Sequence, residues 1–386
     1  MIPLVAPALT LSPQEQARYA RHLELQGFGM QAQLCLKNAR ILVVGAGGLG
    51  SAIVPYLAAA GVGTLGIVDD DVVDLSNLQR QIMHREADIG LAKTASARRH
   101  VLALNPHVEV IEHAIRLTAT NALEILSHYD VVLDGADNFA TRYLVSDAAA
   151  LLGMPCVWGS ILQFEGQVSV FWRGHGPTYR DVFPEPPEPG EVPSCAQAGV
   201  LGVLPGQIGV LMAAEAIKLV TGVGEPLLGR MLVFDALRTQ WRDMRVQADP
   251  SVPAVTALLP DYPAFCGVAT DREAAMPRLS VHALHTAMAE HVSGQVWLVD
   301  VRESSEWNLG AIDGARHAPL ATLLQAVSLA TLPSALLGIE DASQVVLYCQ
   351  SGQRAAAAAA HLAELGLERV SVLDGNVATW RVLMAQ

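Results

Sequence analysis

The chain has 386 residues, of which 51% are hydrophobic, and a formal net charge of −13 with only 25 Lys and Arg. That length suits two domains or three, and an acidic balance without a basic run argues against nucleic acid as the main partner. Five widely spaced cysteines (Cys35, Cys156, Cys195, Cys266, Cys349) suit a reduced, cytoplasmic chain with one or two reactive thiols better than a disulfide framework.

No Lys or Arg precedes Arg18, so the basic start of a secretory signal is missing. The run from Ile41 to Val68 has no charge and is long enough to span a bilayer. Its glycines and Pro55 instead divide it into strand, turn, helix and strand, which argues against a membrane. The stretch ILVVGAGGLG places Gly45, Gly47, Gly48 and Gly50 between an apolar strand and a helix, an arrangement that binds phosphate whatever the nucleoside. Asp69 closes the next strand, TLGIVD, where a ribose-binding acid also fits a plain nicotinamide dehydrogenase. The segment after Asp69 shifts the balance away from a dehydrogenase. Asn77, Gln79, Arg80 and Lys93 come soon after that acid, and two cations beside a glycine turn suit a triphosphate that must be neutralised for attack.

Strand signals continue at VEVIEH, DVVLDG and PCVWGS, which suggests a mostly parallel sheet, with GQVSVFW and RMLVFDA as an antiparallel extension. Asp134 and Asp137 fall at the C-terminal edge of that sheet, where a carboxylate can hold Mg²⁺ against phosphates. GQIGVLMAAEAIKLVTG reads as a buried helix, with Glu215 and Lys218 as a surface pair. Asp181 to Ser194 is proline-rich and acidic and reads as a mobile loop. His22, His84 and His107 read as surface or packing residues rather than metal ligands.

The segments RYARHLELQGFG, GAGGLGS, YLAAAGVGTLGIVDDDVVDLSNLQRQ, GLAKT, LNPHV, DGADNFATR and FEGQVSVF occur in that order. Together they resemble the MoeB and ThiF family, relatives of ubiquitin-activating enzymes that adenylate the C-terminal glycine of ubiquitin-like sulfur carriers. The resemblance covers residues 12–245 and implies a Rossmann-like adenylation domain using ATP and Mg²⁺. It implies that Gly48 lines the phosphate turn, that Asp69 holds the ribose, and that Ser76, Asn77, Leu78, Gln79, Arg80 and Lys93 grip the phosphates. Asp137, with Asn138 beside it, would place the metal and be the key catalytic acid. Arg21 would reach into the other subunit of a homodimer. The family's structural zinc uses two CxxC pairs. The corresponding stretches here are TYRD and PAFC, so no structural zinc is expected and the adjoining loop loses its clamp. Cys195, in SCAQAGV, stands where the family has a thiol that accepts or relays the carrier.

Residues 246–278 are rich in proline and read as a linker that spans roughly 30 Å as a coil. From Leu279 a second α/β pattern begins: VWLVDVR, QVVLYCQ, an alanine-rich helix and RVSVLDG. In YCQSGQRA, Cys349 follows a strand and Arg354 opens a helix, so backbone N–H groups and the helix N-terminus favour an anion and a thiolate. With WLVDVRESSEWNLGAIDGARHAPL and VLDGNVATW, residues 279–386 resemble a smaller α/β rhodanese domain, with Asn376 where that family usually has a second glycine. The resemblance implies that Cys349 carries a persulfide supplied by an upstream donor such as a cysteine desulfurase. An activated carboxylate and a sulfur nucleophile on one chain suggest thiocarboxylate formation. The rival is a thioester-forming enzyme of a protein-conjugation pathway, which needs no sulfane sulfur. A scaffold without activity would need neither Arg80, Lys93, Asp137 nor Cys349.

Overall fold

The structure is a computed structural model. It describes every residue except Met1, 188–198, 268–274, 291–295, Glu340, Asp341, Ser343, Ser351, Ala385 and Gln386, with the side chains of 289, 290, 353 and 382 also outside the description. Cys195 therefore lies outside the described residues, as does the second half of the proline-rich acidic stretch. The chain forms two compact units, the first ending at Tyr262 and the second beginning at Pro263.

The first unit is built on eight strands: β1 (Arg40–Val44), β2 (Thr64–Val68), β3 (Glu109–His113), β4 (Val131–Asp134), β5 (Cys156–Leu162), β6 (Glu165–Phe171), β7 (Arg230–Asp235) and β8 (Gln240–Arg245). They lie in the order β3-β2-β1-β4-β5-β6-β7-β8. The pairs from β3 to β5 are parallel, and β5 to β8 pair antiparallel. Parallel strands are covered on both faces, which is why β1 and β2 read as unbroken apolar runs: Ile41, Leu42, Val43, Leu65 and Ile67 are fully buried. Helices α1 (Gly50–Ala60), α2 (Lys93–Leu104), α3 (Phe139–Leu152) and α4 (Leu204–Thr221) pack around them. Helix α4 is apolar and long enough to cross a membrane, but its buried side packs on α1, β5 and β6. The expected surface pair on α4 is half wrong. Glu215 is buried, bound to Lys218, and accepts the Leu227 N–H at 2.7 Å, so it satisfies a buried backbone donor.

Sequence periodicity missed β8. Every residue of its QWRDMR stretch is exposed, so this edge strand has no apolar face to reveal it. The expected linker is also not one free coil. Asp249 N–H donates to Asp181 at 2.9 Å, Arg173 to the Val255 carbonyl at 2.9 Å, and Tyr262 is buried. Residues up to Tyr262 are thus fastened to the first unit, and the coil estimate overstates the free length.

The second unit has a five-stranded parallel sheet. Its strands are β9 (Arg278–Ser280), β10 (Val296–Asp300), β11 (Arg316–His317), β12 (Gln344–Tyr348) and β13 (Val370–Asp374), in the order β11-β10-β12-β13-β9. Helices α5 (Gln353–Glu364) and α6 (Val377–Met384) follow β12 and β13. Val345, Leu347 and the α5 alanines Ala355, Ala358 and Ala359 are buried together on one side of the sheet.

Candidate active sites

In the first sheet, the chain runs from β1 outward through β2 to β3, then returns to β4 on the other side of β1. A crevice opens at such a reversal, beyond the C-terminal ends of the strands. Here it is lined by Gly45, Gly47, Gly48, Asp69, Asp71, Arg80, Gln81, Lys93, Asp137 and Arg142, with Leu49, Ile161 and Val200 as apolar walls. Its volume, counted out to the open mouth, is about 640 Å³. The glycines are needed for space. Gly45 has φ +92°, and a Cβ there would sit 2.9 Å from the Gly135 carbonyl oxygen; one on Gly48 would sit 3.0 Å from Pro205.

Asp69 accepts the N–H groups of Ala46 at 2.7 Å and Asp71 at 2.9 Å, fixing the glycine turn to the end of β2. Burial pushes its carboxyl above the usual range, and Lys93 pulls the other way. The Lys93 side chain is 7% exposed and its Nζ lies 2.9 Å from Asp71 Oδ2. Asp137 is exposed and forms no ion pair among the described residues. Asn138 caps α3 by accepting the Thr141 N–H at 2.9 Å, which starts a helix directly behind Asp137. Asp134, by contrast, is fully buried and not at the surface of the site. Burial raises its carboxyl to about 6 against the pull of Arg142, and it accepts the Ala136 N–H.

The fold therefore gathers Gly48, Asp69, Arg80, Lys93 and Asp137 at one crevice. Ser76, Asn77, Leu78, Gln79 and Asn138 do not line it. Ser76 acts on it through Arg80, whose guanidinium donates to the Ser76 carbonyl at 3.2 Å. Arg21 lies outside the crevice, with a side chain 89% exposed and paired to Glu24 at 2.6 Å. Asp71, Gln81 and Arg142 also line the crevice, and sequence reasoning missed all three. Arg142 is buried and held by the Ala136 carbonyl at 3.2 Å, and Gln81 Oε1 is buried with no partner among the described residues. Arg142 lies inside DGADNFATR, and Gln81 closes NLQRQ, so both sit in family motifs without a spacing that marks them.

In the second unit, β12 delivers Cys349 fully buried at its end. Gly352, at φ +86°, turns the chain into α5, and its N–H donates to Cys349 Sγ at 3.1 Å. Arg354 makes a two-pronged pair with Glu306, at 2.6 and 2.9 Å, which anchors α5 to the helix Ser304–Asn308. Asn376 is more than a tolerated departure. Its side chain accepts the N–H groups of Ala378 and Thr379 at the start of α6 and donates to the Gln350 carbonyl at 3.1 Å. It braces the cysteine loop against that helix.

Two independent family matches coincide with the two units: residues 19–254 match the ThiF family and residues 282–382 match a rhodanese-like domain. The chain belongs to the ThiF family. A probable adenylyltransferase/sulfurtransferase MoeZ of Mycobacterium tuberculosis is 49% identical over 383 residues, covering 98% of this chain and 96% of its own. A sulfur carrier protein adenylyltransferase of Thermus thermophilus is 50% identical over 265 residues, 66% of this chain and 98% of its own. The E. coli MccB structure with ATP shares the fold, at 22% identity and a TM-score of 0.55, over 62% of this chain and 74% of its own. This ThiF-family chain is thus an enzyme, an adenylyltransferase and sulfurtransferase in one polypeptide.

The residues at the family's zinc position do not fit the metal. Thr178 and Asp181 bond to each other at 2.6 and 2.7 Å, and Cys266 is the one sulfur in the two stretches. A different clamp joins the segments. Arg180 reaches Asp147 with two bonds of 2.8 Å, and the Tyr262 hydroxyl donates to the same carboxylate at 2.7 Å. All three groups are largely buried; burial first, then the Asp147 carboxylate, push the Tyr262 phenol up. Removing Asp147 would strand a buried guanidinium. Asp147→Ala is expected to cost about 3–5 kcal/mol in denaturant unfolding, while EDTA should leave the unfolding midpoint of the wild-type chain unchanged. A midpoint lowered by chelator would show that a metal shares the clamp.

Proposed function

We propose that the chain uses ATP to adenylate the C-terminal carboxylate of a ubiquitin-like sulfur-carrier protein, and then converts it to a thiocarboxylate with sulfur carried on Cys349. The observation that carries this reading is the pairing, on one chain, of a nucleotide crevice holding Arg80, Lys93 and Asp137 with a cysteine loop capped by Gly352. The carrier carboxylate attacks the α-phosphate and pyrophosphate leaves; Arg80 and Lys93 offset the charge that builds on the phosphates. Asp137, exposed and without an ion pair among the described residues, would hold Mg²⁺. When bound, that ion neutralises the phosphates. The terminal sulfur of the Cys349 persulfide then attacks the acyl carbon, and AMP departs with its pair of electrons.

The product of that attack is an acyl disulfide joining carrier and enzyme. Attack by a second thiol on the Cys349 sulfur releases the thiocarboxylate and leaves an enzyme disulfide, which a cellular thiol reduces. Cys195 is the proposed second thiol. An upstream persulfide donor such as a cysteine desulfurase loads Cys349, and chemistry that needs a reducing thiol suits the cytoplasm. Neither nucleic acid nor a membrane takes part in this scheme.

A homodimer completes the adenylation site if Arg21 reaches across. Mixing inactive Arg21→Ala and Asp137→Ala chains should then restore part of the activity, because hybrids assemble one intact site. No rescue despite proven subunit exchange would count against it. The reading as a whole is tested by intact-mass analysis of candidate carriers incubated with the enzyme, ATP and a sulfur donor. One sulfur should replace one oxygen at the carrier terminus; carriers left unchanged, or joined to the enzyme as thioesters alone, would refute it.

A further inference from the structure

His84 lies directly behind the glycine turn of the crevice. The sequence reads it as a surface or packing residue, and in the fold it is only 5% exposed. Its ring nevertheless spends both nitrogens on specific partners. Nε2 lies 2.8 Å from the Ala46 carbonyl oxygen, in the glycine turn, and Nδ1 lies 2.9 Å from Ser96 Oγ on α2. Ser96 in turn donates to Asp88 at 2.6 Å, and Asp88 is paired with Arg99 at 2.6 Å. Whichever way the Ser96 hydroxyl turns, Nε2 faces a carbonyl and must carry the hydrogen.

That contact decides the direction of a backbone donor. The C=O and N–H of a trans peptide point opposite ways. With the Ala46 carbonyl drawn back to His84, the N–H of the same peptide, which belongs to Gly47, is turned away from it. Gly47 lines the crevice, and its N–H meets no acceptor among the described residues. On the other side of Ala46, its own N–H is fixed by Asp69. The residue before the open donor is therefore held at both its polar atoms, one by the strand end and one by His84.

We infer that His84 is a positioning residue for adenylation: it locks the Ala46–Gly47 peptide so that the Gly47 N–H is presented to a nucleotide phosphate. The inference rests on the nucleotide reading of the crevice. It separates phosphate recognition from nucleoside recognition, so the test compares ATP with adenosine by titration calorimetry. His84→Ala should weaken ATP about tenfold, the scale of one hydrogen bond to a charged group, and leave adenosine unchanged. His84→Gln, whose side-chain amide can still donate to the carbonyl, should recover most of the ATP affinity. Should His84→Ala fail to fold, Ser96→Ala frees the far side of the ring and should give a smaller loss, again for ATP alone. Unchanged ATP affinity in His84→Ala, or in Ser96→Ala should the former not fold, or equal losses for ATP and adenosine, would overturn the role of His84. Failure of the wild-type chain to bind ATP would overturn the nucleotide reading and this inference together.

Discussion

Asp137→Ala is expected to lower carrier-dependent ATP–pyrophosphate exchange by about a hundredfold or more, with the fold intact. The size follows from the place of the carboxylate. It stands just beyond the end of β4 on the wall of the crevice it shares with Lys93 and Arg80, where the cation it is proposed to hold would be worth about 3 kcal/mol or more to the negative charge developing on the phosphates. The intact fold follows from what Asp137 does not do. It is exposed, it has no ion pair among the described residues, and the cap of α3 belongs to Asn138. Circular dichroism and the unfolding midpoint should match the wild type. Exchange near the wild-type rate would refute the role assigned to this carboxylate.

Cys349→Ala should separate the two half-reactions. The thiol belongs to the second unit, whereas every residue lining the nucleotide crevice belongs to the first. Pyrophosphate exchange should therefore persist while thiocarboxylate formation falls to background, because no other group in that loop can carry sulfane sulfur. The variant should fold: Cys349 packs among Val299, Leu347 and Ala355, where alanine removes one sulfur atom and leaves an apolar site. Mass spectrometry of the carrier reads the outcome directly. Thiocarboxylate at an undiminished rate would remove Cys349 from the mechanism. Cys195→Ala is distinguished from it by a different signature, a covalent carrier–enzyme species that dithiothreitol dissolves.

The sequence by itself determined the two α/β units, the glycine turn and its strand, Lys93 and Asp137, and the cysteine loop. Each of these is local: an apolar strand, a turn that only glycine tolerates, and a chemical group fixed within a short stretch of it. Tertiary structure decided what depends on contacts between distant segments. Asp71 and Arg142 join the crevice because β1, β2 and β4 end side by side, an order that no local pattern states. Edge strand β8 carries no alternation because water, and not a core, lies against it. The loss of zinc cysteines removes one clamp from TYRD and PAFC, yet Arg180 and Tyr262, which lies 115 positions beyond Asp147, meet on that one buried carboxylate. His84 shows the same limit. Its neighbours in the chain suggest only packing, and the approach of α2 and the glycine turn from opposite sides converts it into a bridge. A single buried polar group is silent in sequence because its partners, which set its energy, are chosen by the fold.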